Sequence, residues 1–168
     1  DAQESRGLGD VYKRQAVDIT TAPFPGFPTD LQAPFSALMT VAKGKSKITE
    51  TIFENRMNHI DLLNEMGACI KLDKNTAHIY GVKKLNGMDL VGSDLRSSAA
   101  LIIAAIIAEN TSRIYGLEHL DRGYENFESK LTQLGVKIKR EKDNKIIVEP
   151  GHKKSISTKK KLSGFQAA

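Results

Sequence analysis

The chain has 168 residues and a mass of 18.5 kDa, with 40% hydrophobic and 27% charged residues, enough for one substantial core or two small ones. Its net charge of +5 does not mark a specific reader of nucleic acid, because residues 151–168 hold five lysines and no acid while the rest balances 20 basic against 20 acidic residues. The longest apolar run, Ala99–Ala108, is about half of the ~20 residues a membrane span needs, and no secretory signal pattern opens the chain, so a cytoplasmic location is the default.

Residues 1–15, "DAQESRGLGDVYKRQ", carry no usable periodicity and set three acids and three bases around two glycines; they are expected to be a leader outside the fold. Residues 16–91 read as the end of a preceding unit followed by a first complete one. In "TAPFPGFPTDLQAPF" three prolines and a glycine stiffen the approach to Asp30. Asp30 suits a helix N-cap first, and at the same time could serve as a general base or hydroxyl-binding carboxylate held by a rigid lead-in. Pro34 lacks an N–H, so the regular helix should begin a residue or two after such a cap. The polar turn "KGKSK" leads to a strand from Ile48, and Arg56 follows Asn55 at a second helix start. That helix is marked by Ile60, Leu63 and Met66 and stopped by Gly67. Cys69, the single cysteine, sits in the strand-like "GACIKL" and reads as buried and inert. A turn at Asp73–Asn75 then introduces another strand.

Residues 92–150 repeat the pattern. Asp94 is the N-cap of "DLRSSAALIIAAIIAEN", which places Arg96 in the first turn, and Ala99–Ala108 reads as a helix buried on all sides. After "ENTSR" comes a strand from Ile114, and Arg122 follows Asp121. A helix through Phe127, Leu131 and Leu134 stops at Gly135, and a turn at Asp143–Asn144 joins two strands. Residues 151–168 form a basic tail of disordered composition. Both units therefore read strand, helix, strand, helix, strand, strand, an α/β (α+β) arrangement repeating at about 65 residues. Two copies leave apolar helices that need a further neighbour.

Arg56, Arg96 and Arg122 each fall near a helix start, where free N–H groups and the macrodipole favour anions. A guanidinium adds a fork that fits carboxylate or phosphate. The alternative is a solvated or ion-paired surface arginine. His59, His78, His119 and His152 lack metal-ligand spacing and suit strand, turn or surface positions. Neither a phosphate-binding glycine loop nor a serine–histidine–acid pattern is present.

The stretches "FPGFPTDLQAPF", "TETIFENR", "DLRSSAALIIAAIIAE" and "HLDRGYENFESKLTQLGVKI" resemble the C-terminal part of the UDP-N-acetylglucosamine 1-carboxyvinyltransferases, a branch of the enolpyruvyl transferases. The resemblance spans roughly residues 16–150. It implies an inside-out barrel of six βαβαββ units, of which about two are present. It also implies transfer of the enolpyruvyl group of phosphoenolpyruvate to the 3-hydroxyl of UDP-N-acetylglucosamine, with no metal or organic cofactor. Asp30 matches the family's base, which contacts that hydroxyl, and Ile52 matches a position whose backbone meets the UDP-sugar. Arg56, Arg96 and Arg122 match arginines of the phosphoenolpyruvate region. The family's N-terminal lysine, uridine-binding segment and loop cysteine have no counterpart here, and Cys69 does not match that cysteine. Residues 1–15 and the tail depart from the family pattern, and the chain alone is expected to be inactive without the remainder of the enzyme. Two other readings remain open: a 5-enolpyruvylshikimate-3-phosphate synthase-type transferase, and a non-catalytic βαβαββ interaction module binding RNA through its tail.

Overall fold

In β2 (Lys45–Thr49) Ser46 and Ile48 are buried while Lys45 and Lys47 face solvent, the two-residue period of a sheet with one covered face. The chain is described over residues 14–151 by a computed structural model. Before β2 come β1 (Ile19–Thr20), a 3-10 turn (Thr29–Leu31) and α1 (Gln32–Met39). After it come α2 (His59–Glu65), β3 (Cys69–Asp73) and β4 (Thr76–Tyr80). The second unit runs β5 (Asp89–Val91), α3 (Leu95–Ile107), β6 (Ser112–Tyr115), α4 (Glu118–Asp121), α5 (Phe127–Gln133), β7 (Ile138–Glu141) and β8 (Lys145–Val148).

The two sheets have the same topology, β1-β2-β4-β3 and β5-β6-β8-β7. In each, the first pair is parallel across a helical crossover and the others are antiparallel. Ile48 lies opposite Ile19, and Ile114 opposite Leu90. Both isoleucines are fully buried, each contributing roughly 1.5–3 kcal/mol of burial. Ser46 and Ser112 repeat one buried polar position, paired with Ile79 and Val148. β2 and β6 begin at Lys45 and Ser112, earlier than the apolar residues of the sequence indicate, because ladder bonding extends into the polar turn.

Local chemistry explains the boundaries. Gly67 and Gly135 take φ of +93° and +87°, the left-handed conformation that ends α2 and α5. Asp94 caps α3 with a full capping box: its carboxylate accepts the Arg96 and Ser97 N–H groups, and its own N–H donates to Ser97 Oγ. The extra turn α4, which the periodicity does not predict, is anchored by fully buried Leu117 and Leu120.

The core joins the packed pair α1 and α3 to the buried faces of the two sheets. Ala33, Ser36 and Ala37 of α1 and Ala99, Ala100, Ala104 and Ala105 of α3 are buried, and such small side chains let helices approach closely. α3 is not enclosed on every side: Ile103, Ile106 and Ile107 stay partly exposed, as do Phe35 and Leu38 of α1. Cys69 is exposed rather than buried, because β3 is an edge strand and Ile70, not Cys69, faces the core. Order also begins before residue 16, since the Lys43 N–H donates to the Arg14 carbonyl and Gln15 bridges Lys43. Residues 1–13 and the tail from residue 152 lie outside the described residues.

Candidate functional site

Asp30 is not a helix cap. The 3-10 turn places Leu31 at the start of α1, and no side chain caps that helix. The Asp30 carboxylate, two-thirds exposed, turns instead to two arginines. Its Oδ1 receives Arg96 Nε at 2.6 Å and Arg56 Nη1 at 3.3 Å. Arg56 Nη1 also donates to Thr29 Oγ1 at 2.9 Å, and its guanidinium lies 3.8 Å from the centroid of the Phe53 ring.

The three arginines do not share one position. Arg96 is in the first turn of α3, as its spacing from Asp94 predicts. Arg56 precedes α2 by three residues, because Asn55 takes a positive φ of 56° and the N-cap moves to Asn58. Arg122 is the C-cap of α4, and α5 opens only after Asn126. Asp30, Arg56 and Arg96 therefore converge, while Arg122 is exposed and outside their cluster.

A cavity of about 290 Å³ opens beside the cluster, lined by Arg56, Arg96, Asp94, His59, Phe53 and Ser97 among others. Two guanidiniums meet one carboxylate oxygen there, so donors on both remain for a carboxylate or phosphate. His59 takes none of the strand, turn or surface positions expected of the histidines, since it opens α2. It is buried, its Nε2 has no partner, and burial pushes it down to about 4 against an opposing pull from Asp94. Burial also pushes the Asp94 carboxyl up, but hydrogen bonds from Ser97, Arg96 and Ser93 outweigh this and leave it below its usual range.

Nothing in the sequence singles out Glu50, since a glutamate among threonines looks like surface. It is buried, and its carboxylate accepts from Thr21 Oγ1 (2.8 Å), Thr29 Oγ1 (2.7 Å), the Ile52 N–H (2.8 Å) and the Phe53 N–H (3.2 Å). Burial raises its pKa, and these four bonds together bring it below the ordinary value. Ile52 is at the surface with its N–H committed to Glu50. Among the described residues no cluster of His, Cys, Asp and Glu could hold a metal ion.

A family model described as EPSP synthase (3-phosphoshikimate 1-carboxyvinyltransferase) matches residues 2–131. The chain belongs to the enolpyruvyl transferase family. Its curated relatives include the UDP-N-acetylglucosamine 1-carboxyvinyltransferases of Prochlorococcus marinus strains MIT 9312 and AS9601. The first is 74% identical over 142 residues, covering 81% of this chain and 31% of the relative. The second is 75% identical over 139 residues, covering 83% and 30%. This enolpyruvyl transferase segment thus spans about a third of the length of the relatives it matches. The crystal structure of the enolpyruvyl transferase NikO from Streptomyces tendae aligns with a TM-score of 0.65 and 27% identity, over 72% of this chain and 28% of that one. EPSP synthase from Acinetobacter baumannii aligns at 0.63 and 20% identity, over 82% and 31%, a likeness of fold alone. No described helix of the segment is long and apolar enough to cross a membrane.

Proposed function

We propose that this segment carries the acceptor base and part of the anion site of an enzyme that transfers the enolpyruvyl group of phosphoenolpyruvate to the 3-hydroxyl of UDP-N-acetylglucosamine. In this reading it acts in the cytoplasm, at the first committed step of peptidoglycan precursor synthesis. The supporting observation is the Asp30 carboxylate held by Arg56 and Arg96 beside the cavity. Asp30 Oδ2, which takes neither arginine, accepts the hydroxyl proton. The sugar oxygen adds to C2 of phosphoenolpyruvate while C3 gains a proton. The C2–phosphate bond then breaks and C3 gives up a proton, releasing inorganic phosphate. Arg56 and Arg96 offset the substrate's charge and the charge that develops at C2. Arg122 is assigned to the same anion, and the Ile52 backbone to the sugar, by the family resemblance. This chemistry uses proton transfer and electrostatics and calls for no metal or organic cofactor.

The remainder of the enzyme completes the site, so the 168-residue chain alone is expected to give no turnover. The names and 74–75% identity of the relatives favour the UDP-sugar over shikimate 3-phosphate as acceptor. The balanced charge outside the tail disfavours an RNA-binding module. Phosphate release by a full-length enzyme carrying this segment tests the reading. Release should need UDP-N-acetylglucosamine together with phosphoenolpyruvate. Release with shikimate 3-phosphate in place of the UDP-sugar would overturn the acceptor, and turnover by the isolated chain would overturn the need for the remainder.

A further inference from the structure

The geometry points to Glu50 and Thr29 as positioning residues that set Arg56 for its anion, an inference that rests on reading Arg56 as an anion-binding group. A buried carboxylate is costly unless it is fully hydrogen-bonded, and Glu50 is bonded on both oxygens by three separate pieces of chain. Its backbone is fixed as well: its N–H donates to the Asn75 carbonyl at 2.9 Å, and its own carbonyl accepts Asn75 Nδ2 at 2.7 Å. Glu50 is therefore a rigid anchor at the end of β2.

Two routes run from this anchor to Arg56. Through Oε2 it takes the single hydroxyl hydrogen of Thr29, which turns the Thr29 lone pairs to Arg56 Nη1. Through Oε1 it holds the Phe53 N–H, and the Phe53 ring lies against the Arg56 guanidinium. The chain of donors runs in one direction, from Arg56 to Thr29 to Glu50, so each bond polarises the next. The arginine is held from its ring face and from one terminal nitrogen, and its other donors are left for the substrate.

Steady-state kinetics of a full-length enzyme carrying this segment test this with Thr29→Val, Thr29→Ser, Glu50→Gln, Arg56→Ala and the Thr29→Val/Arg56→Ala pair. Thr29→Val keeps the shape without the hydroxyl and should raise KM for phosphoenolpyruvate about tenfold. Thr29→Ser should restore it, and Glu50→Gln should shift the same constant. In the Arg56→Ala background Thr29→Val should add nothing. A wild-type KM for Thr29→Val beside an impaired Arg56→Ala would overturn the positioning role alone, as would an undiminished Thr29→Val effect in the double variant. An unchanged KM for Arg56→Ala would overturn the anion reading of Arg56 and this inference with it.

Discussion

Arg96 Nε and Asp30 Oδ1 lie 2.6 Å apart although 66 residues separate them in the chain. The contact joins the first turn of α3 in the second unit to the 3-10 turn ahead of α1 in the first. It also accounts for a cation at the positive end of a helix, which costs roughly 0.3–1 kcal/mol when nothing offsets it. Here the offset is a carboxylate from the neighbouring unit. The pair is open to solvent on the Asp30 side, so its strength is that of a partly screened ion pair.

Arg96→Ala in a full-length enzyme should raise KM for phosphoenolpyruvate about 10- to 100-fold, the loss of a charged hydrogen bond. Circular dichroism and the unfolding midpoint should stay close to wild type, because the side chain is at the surface end of α3. Unchanged kinetics would confine Arg96 to its pairing with Asp30.

Removing the α3 cap should act on stability. Asp94→Ala leaves the Arg96 and Ser97 N–H groups without their acceptor and should cost about 1 kcal/mol. Asp94→Asn keeps the capping oxygen and should cost less. Denaturant midpoints at constant m-value compare the two, and equal losses would show that the charge, not the cap, matters.

The buried imidazole makes stability depend on pH. His59 is held down to about 4 in the folded chain against 6.5 when free, so below pH 6.5 the unfolded chain binds a proton that the folded chain refuses. Stability should therefore fall as pH drops from 6.5 toward 4, by on the order of 3 kcal/mol in all. His59→Gln should flatten this slope in denaturant titrations at pH 7, 6 and 5, and an unaltered slope would refute the assignment. Glu50 and Asp94, whose carboxyls are lowered, lose their contribution only at still lower pH, as each is protonated through its folded value.

Gly92 brings β5 against the start of α3. A Cβ there would stand 2.1 Å from Ser98 Oγ, which donates to the Asp94 carbonyl. Gly92→Ala should displace that turn and destabilise the chain by about 1–3 kcal/mol. Because the turn carries Arg96, KM for phosphoenolpyruvate should rise as well; a wild-type melting temperature would show that the strand can move aside.

The repeat, the helix stops at Gly67 and Gly135, the Asp94 cap and the place of Arg96 were all legible in the sequence. Each depends on neighbours within a few residues, and periodicity and capping chemistry operate at that range. What came out differently lies where distant segments meet. Asp30 and Arg56 converge on Arg96 because α1 packs on α3, Arg122 stands apart because Leu117 and Leu120 anchor an additional turn, and Cys69 is exposed because β3 is an edge. Nothing local in the chain marks Glu50 or His59 as buried. Only the folded chain supplies the donors that make one a tolerable buried carboxylate and the burial that keeps the other neutral. Local signals along the chain set the units and their boundaries; the meeting of the two units set which charges share a site, because a side chain's partner across 66 residues is set by packing and not by local propensity.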